Sequence, residues 1–413
     1  MANPASAQNE DAAPTKRDDI HENRMVLIMF FTWGVVFLDR MAQLYLMPYI
    51  AADLRLSDTQ VGALSSAMAV CWAISALLFG AISDRVGRKV ILVPLTIAFS
   101  LFSGLSGLAR NFTQLLAIRG VMGVAEGPCW SVTNALVEQA STPSRRGRNV
   151  GIVVSAAALI GLGVAPILTT QIAAHIGWRA AFFVAGLPGL LMAYLIVRYV
   201  REPHSTVRKA SREGAPRASA FQILRYRNIW LCALAASGFM TWLFLQNVFA
   251  PLYITRMEHL DPRIAGLLLG AAGFGSFFLG IVGPSLSDRI GRRAMLMAMA
   301  LLSTALPVCL LIHGLYANLF VLGTVLFLTQ GGQAISALAI VLIPAESVPP
   351  GTAGAAIGFV TLVGELVGGT AAPVAAGKLA DMFGLAWPLW LAAAGSLLVF
   401  VAALAMRPTA ESA

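Results

Sequence analysis

Residues 80–89 read GAISDRVGRK and residues 284–293 read PSLSDRIGRR. The shared Ser-Asp-Arg-x-Gly-Arg core recurs at an offset of 204 residues, each time between two long apolar runs. A chance match at equivalent places is improbable, so the chain is an internal duplication. Outward from the two loops, apolar runs bounded by charges, glycine or proline predict twelve membrane helices. They lie near 25–50, 60–82, 89–109, 112–139, 149–174, 178–199, 228–253, 263–287, 292–313, 316–343, 352–380 and 386–407. The polar stretch Arg201 to Arg227 separates six from six. The expected organisation is a tail (1–24), a bundle (25–199), a central loop (200–227), a second bundle (228–407) and a tail (408–413).

Composition agrees with a polytopic membrane protein. Of 413 residues, 58% are hydrophobic and 12% charged, against about 25% charged in soluble domains. The mean hydropathy is +0.76. The net charge of +9 would suggest nucleic acid in a soluble protein. Here the loops account for it: 21 of the 29 Lys and Arg fall on one set of connecting segments and 6 on the other. That asymmetry puts both termini in the cytoplasm of a cell (inner) membrane protein, with the lipid bilayer as its surroundings and no nucleic-acid partner. The run Met25 to Ile50 is too long for a signal-peptide core and is expected to stay as the first helix. Cys71, Cys129, Cys232 and Cys309 sit in apolar runs without zinc-ligand spacing. No metal-ligand cluster, nucleophile triad or phosphate-binding glycine loop stands in the sequence, so neither an enzyme nor a cofactor or metal is expected.

Two six-helix repeats form a carrier architecture, with a small-molecule path between the halves. A charge at mid-membrane costs at least about 2.5–3.5 kcal/mol on insertion scales, so each is a functional candidate. Five stand out: Asp39, Arg40, Arg119, Glu126 and Glu365. Asp39 lies fourteen residues past Met25 and Glu126 fourteen past Phe112. At 1.5 Å per residue both are about 21 Å along their helices, near the midplane. Arg119 precedes Glu126 by two turns and shares its face. One reading is structural: Asp39–Arg40 and Arg119–Glu126 as ion pairs holding the first half together. The other is chemical. Burial favours a neutral carboxyl and a nearby guanidinium favours a charged one, which leaves an acid poised to exchange a proton. Arginine stays charged and presents a planar fork suited to a carboxylate.

The duplicated loop, the twelve spans and the basic central loop resemble the major facilitator superfamily over nearly the whole chain after residue 24. Within it, Phe37-Leu38-Asp39-Arg40 and Arg119-Gly-Val-Met-Gly-Val-Ala-Glu126-Gly resemble the anion:cation symporter family of sugar-acid and organic-anion carriers. The resemblance implies proton coupling at Asp39 and Glu126, and charge pairing or substrate binding at Arg40 and Arg119. Ala42 stands where sugar-acid carriers commonly have Asn, which weighs against a polyhydroxylated substrate. Lipid-exporting spinster carriers share a similar pattern, so direction stays open. The resemblance also implies that Gly80, Asp84, Arg85, Gly87 and Arg88, with Asp288, Arg289, Gly291 and Arg292, gate the conformational change by bracing an outward-open state.

The second half is poorer in charge. At the 204 offset Glu126 maps onto Gln330, Arg119 onto Gly323 and Asp39 onto Leu243, one turn before Gln246 and Asn247. Substrate recognition is therefore expected from Gln246, Asn247, Gln330 and Gln333, with Tyr45 lining the path; interhelical hydrogen bonding is the competing reading of the amides. Glu365, flanked by Gly364, Gly368 and Gly369, is expected as a second proton site or a substrate contact. The leading expectation is an all-α, twelve-helix, proton-coupled symporter of a small organic carboxylate that acts as a monomer. The alternative is a proton-coupled exporter or antiporter of amphipathic, drug-like or lipid compounds.

Overall fold

The computed structural model describes residues 16–142, 144–200, 220–349 and 352–407. Twelve long helices carry the fold: α1 (Lys16–Tyr45), α2 (Asp58–Val86), α3 (Arg88–Ser106), α4 (Phe112–Ala140), α5 (Arg146–Ile176), α6 (Trp178–Tyr199), α7 (Arg227–Arg256), α8 (Pro262–Ile290), α9 (Arg292–Leu310), α10 (Leu319–Glu346), α11 (Ala353–Phe383) and α12 (Ala386–Ala405). Eleven contain a stretch long and apolar enough to cross a membrane. The exception is α4, which has the length but whose hydropathy is lowered by Arg119 and Glu126. Its core is nevertheless buried, including both of those residues. Outward faces carry exposed apolar groups such as Leu108, Leu187, Phe278 and Trp390, as expected of a surface solvated by lipid. This is the all-α architecture that the sequence predicts.

Lipid supplies no hydrophobic force between helices, so close packing through small residues must hold the bundle. Within the first six helices α2 packs on α4: a Cβ added at Gly123 would lie 2.4 Å from the Met68 carbonyl oxygen. Between the first and last six, α2 packs on α11, where a Cβ at Gly62 would lie 2.1 Å from the Pro373 carbonyl oxygen. Likewise α5 packs on α8, with Gly273 tight against Leu162. These contacts between the two sets concentrate at the end opposite the duplicated loops. That opposite end is closed. The other, here called the motif end, is where α1 starts and α12 finishes.

Three departures from the sequence reading have local causes. Residues 16–24, read as tail, are helical in α1. Buried Glu22 fixes this extension by accepting from Asn149 Nδ2 (2.5 Å) and Thr142 N (3.4 Å). The run 25–50 breaks at Leu46, and a short helix Met47–Leu54 follows. Pro48 lacks the N–H that would continue the ladder. In α10 the helix stops at Thr329 and resumes at Gly332, with Gly331 N bonded to the Thr329 carbonyl across Gln330. Wider π-helical turns also appear at Ala157–Val164 of α5, Ala337–Leu342 of α10 and Glu365–Ala371 of α11. Such turns in membrane and soluble helices often coincide with functional sites.

The duplicated loops have a backbone reason for their glycine. Gly87 has φ 119° and Gly291 φ 91°, a region that side chains with a Cβ rarely enter. Each lets one helix end and the next begin with no intervening loop. Gly87→Ala and Gly291→Ala should each destabilise the protein by about 1–3 kcal/mol, read as a lower thermal unfolding midpoint in detergent. Gly151→Ala, with nothing within 4 Å of the added Cβ, should cause no such loss.

Candidate functional site

Asp39 and Arg40 are consecutive in α1, so their side chains leave the helix about 100° apart and enter different surroundings. Asp39 Oδ1 accepts from Ser103 Oγ of α3 at 2.6 Å, while Oδ2 has no partner. Arg40 reaches the other half of the molecule. Its Nη2 lies 3.5 Å from Glu365 Oε2 of α11, and its guanidinium carbon lies 5.0 Å from the Trp72 ring and 5.1 Å from the Phe244 ring. The ion pair read within α1 is thus replaced by one across 325 residues. Adjacent positions on a helix do not face each other, and Glu365 is the acid that α11 brings to the guanidinium.

Arg119 and Glu126, two turns apart on α4, are both fully buried. Arg119 stacks over the Phe182 ring at 4.6 Å and directs Nη1 to Met122 Sδ at 3.3 Å. Its Nε and Nη2, and both Glu126 carboxyl oxygens, have no hydrogen-bond partner. Asp39 and Glu126 lie within electrostatic reach of Arg119, and Glu126 also within reach of Asp39 and Arg40. The second ion pair of the structural reading is therefore also absent as a direct contact. The cluster holds two guanidiniums and three carboxyls. Fully ionised it is one charge short of neutral, and a single proton shared among the acids restores the balance. In a low-dielectric interior an uncompensated charge is strongly disfavoured.

The polar groups of the last six helices divide. Tyr45 Oη donates to Asn247 Oδ1 at 2.7 Å, and Asn247 Nδ2 donates to the Leu243 carbonyl at 2.7 Å. The amide oxygen thus joins α1 to α7, the interhelical role, while its nitrogen bonds back within α7. Gln246 Oε1 and Gln330 Oε1 are buried without partners. Gln333 instead packs its stem against Gly280 of α8. Sequence reasoning missed three residues that touch the cluster, Trp72, Ser103 and Phe244, and a further buried polar residue of α1, Gln43. Gln43 sits three residues after Arg40 with both amide atoms unpartnered, and its spacing in α1 was a usable signal. Nothing in the local sequence marked the other three.

The sequence model of the Major Facilitator Superfamily matches residues 29–371 and, in a second overlapping match, 243–413. The chain belongs to that superfamily. This facilitator is 30% identical over 363 residues to a probable 4-methylmuconolactone transporter of Cupriavidus pinatubonensis, covering 86% of this chain and 83% of the relative. It is 31% identical over 272 residues to a hexuronate transporter of Bacillus subtilis, covering 62% of this chain and 64% of that relative, just under two thirds of its length. A 3-(3-hydroxy-phenyl)propionate transporter of Escherichia coli is 28% identical over 361 residues, 80% of each chain. Among solved structures, a bacterial homologue of the human lysosomal transporter Spinster, inward-facing and unoccupied, superimposes with a TM-score of 0.74 at 18% identity, over 95% of this chain and 96% of that one. The protein is a multi-pass membrane transporter, not an enzyme, and its relatives carry organic acids.

At the motif end of the facilitator, Arg292 binds Asp288, Ser287 Oγ (2.6 Å) and Glu346 Oε1 at the end of α10 (3.0 Å). Arg88 donates to the Ala135 carbonyl of α4. Arg289 is exposed. Gly80, Asp84 and Arg85 lie outside the residues described in side-chain detail. The last basic residue of each motif has a role not foreseen from sequence. Lys89 Nζ donates to the Val197 and Val200 carbonyls (both 2.8 Å) at the end of α6. Arg293 donates to the Ala403 (3.0 Å) and Leu404 (2.7 Å) carbonyls at the end of α12. Both satisfy carbonyls that a helix end leaves free.

The opposite end is fastened by a helix cap supplied from across the molecule. At the start of α2, Ser57 and Gln60 form a reciprocal capping box. The two remaining free N–H groups, of Asp58 and Thr59, donate to Asp381 of α11 at 2.8 and 2.9 Å, and Thr59 Oγ1 joins them at 2.5 Å. Arg256 of α7 pairs with Asp58 at 2.8 Å. Asp381→Ala should cost this closure about 1–2 kcal/mol, shifting the open-to-closed ratio about fivefold or more. The shift is read as faster thiol labelling of Ser66→Cys, buried between α2 and α11, in a protein whose four native cysteines are replaced. Unchanged labelling would remove Asp381 from the closure.

Proposed function

We propose that the protein is a proton-coupled symporter of a small organic carboxylate in the cell (inner) membrane. The carrying observation is the buried set itself: Arg119 with two unpartnered nitrogens, two turns along α4 from Glu126 with two unpartnered oxygens. A permanent cation and an unsatisfied acid buried on one face of the same helix suit a site that a proton and an anion occupy in turn. Asp39 and Glu126 carry the coupled proton. Arg40 and Arg119 bind the substrate carboxylate, with Gln43, Gln246 and Gln330 as neutral contacts. The relatives' organic-acid substrates support the anion, and the family resemblance supports the proton.

The motif end and both termini face the cytoplasm, in line with the excess of Lys and Arg there. In this orientation the described state is inward-facing, closed outside by Asp381, Asp58 and Arg256. The two sets of six helices, joined by residues 200–227, rock about the buried charges as one monomer. The duplicated loops set the balance between the two states through the Arg88 and Arg292 contacts.

With one proton already shared among the acids, a further proton on Asp39 or Glu126 leaves a guanidinium uncompensated, and an incoming carboxylate restores the balance. Proton and anion then bind with positive coupling. In proteoliposomes, Asp39→Asn and Glu126→Gln should abolish accumulation driven by a pH gradient yet retain exchange of labelled for unlabelled substrate, because the neutral side chain mimics the protonated acid. Accumulation at the wild-type level in both variants would sink the assignment. Arg40→Lys keeps the charge but loses the fork. It should weaken apparent affinity about tenfold or more, equivalent to about 1.4 kcal/mol, measured as the substrate concentration for half-maximal uptake.

A further inference from the structure

We infer that Glu365 is a built-in stand-in for the substrate: it occupies Arg40 in the empty protein, is displaced by the substrate carboxylate, and takes up a proton as it leaves. The inference rests on the anion-symport reading and adds a coupling site in the other half of the molecule.

The geometry of Arg40 leads to it. Trp72 and Phe244 cover the guanidinium from within about ring-stacking distance, at 5.0 and 5.1 Å, leaving its N–H edge as the route for an acceptor. Its acceptor in this structure is Glu365, through a single long contact of 3.5 Å. A guanidinium fork can hold a carboxylate through two parallel bonds, and such bidentate pairs are shorter and stronger. The resting pair is therefore well below what Arg40 offers an incoming carboxylate. It is also buried, with both side chains 5% exposed, so neither partner can simply be left to water.

The backbone at Glu365 departs from a regular α-helix. The π-helical turn of α11 begins at this residue and runs to Ala371. The Glu365 carboxylate lies over Gly369, where an added Cβ would stand 2.4 Å from Oε2. On the α7 side the turn packs against Ala236, Met240, Thr241 and Phe244, and on the α2 side Ser66 donates to the Thr370 carbonyl. The facing stretches, 236–247 of α7 and 62–76 of α2, contain no charged residue, and Cys71 is their one titratable side chain. From α1 the group that faces Glu365 is Arg40. A carboxylate released from Arg40 thus finds no other cation among the described residues of these elements.

Charge bookkeeping then ties the anion to a proton. Before binding, the Arg40–Glu365 pair is neutral. An anion on Arg40 leaves Glu365 as an uncompensated buried carboxylate, which one proton from the medium converts to the neutral acid. The site is neutral again, with one anion and one proton aboard. On release the anion leaves, Glu365 gives up its proton and returns to Arg40.

The test measures protons taken up per anion bound by the full-length protein in detergent, by calorimetry in buffers of different ionisation enthalpy. The probes are benzoate, 3-phenylpropionate, nicotinate and D-glucuronate. Wild type should take up protons on binding, and for each proton coupled its affinity should fall about tenfold per unit rise in pH. Glu365→Gln should take up about one proton fewer per anion and bind more tightly at high pH, because Arg40 is already free. Glu365→Asp, whose shorter acid cannot keep the contact, should likewise take up less. Undiminished uptake in a folded Glu365→Gln or Glu365→Asp protein overturns the role given to Glu365 and leaves the symport reading standing. A wild-type protein that binds none of the four anions overturns the anion reading and this inference with it.

Discussion

Three carboxyls and two guanidiniums share the buried interior of a membrane bundle, and much of the structure follows from keeping them compensated. Asp39, Arg119 and Glu126 lie within the first six helices, and Glu365 comes from the last six. Arg40 extends from the first set to meet Glu365. The ion pair therefore spans the plane between the two sets of helices, along which they would move in the proposed cycle. Any displacement that separates α1 from α11 exposes an unpaired charge to a low-dielectric interior, unless a proton or a ligand moves with it. Electrostatics of this kind makes half-loaded carriers unfavourable, which is the condition that the proposed coupling needs.

Packing supports that arrangement. Helix α4 tolerates Arg119 and Glu126 because α2 closes over it through Gly123 and Gly127, so the charges face inward and never meet lipid. Helix α11 carries Glu365 on a π-helical turn flanked by glycine, which brings α7 close enough to place Phe244 beside Arg40. The second half has given up charge for amides, and of these Asn247 has become a structural link to Tyr45. Gln246 and Gln330 keep unsatisfied oxygens, the latter at the break in α10.

Much of the fold was legible because it rests on terms local in sequence. Apolar run lengths place helices, and the Ser-Asp-Arg-x-Gly-Arg repeat marks the duplication. Counting residues along α1 and α4 puts Asp39 and Glu126 at one depth. What sequence could not provide was pairing. Arg40 stands next to Asp39 in the chain, and only the assembled bundle shows that it turns toward Glu365, 325 residues away. The aromatic rings of Trp72 and Phe244 looked like ordinary membrane residues, since nothing local distinguishes a ring that packs from one that covers a guanidinium. The break in α10 was signalled by Gly331-Gly332, but a glycine pair in an apolar run equally suits close helix packing.

The cap that α11 lends to the start of α2 bears on how easily the molecule can change shape. When α11 swings away, the N–H groups of Asp58 and Thr59 lose Asp381, but they sit where water reaches them. Solvent can replace a lost cap at a helix terminus, whereas it cannot replace an ion pair in the core. The latch at this end is thus weak by construction and needs no trigger of its own. In the proposed cycle control passes to the centre, and the closure follows the state of the buried charges.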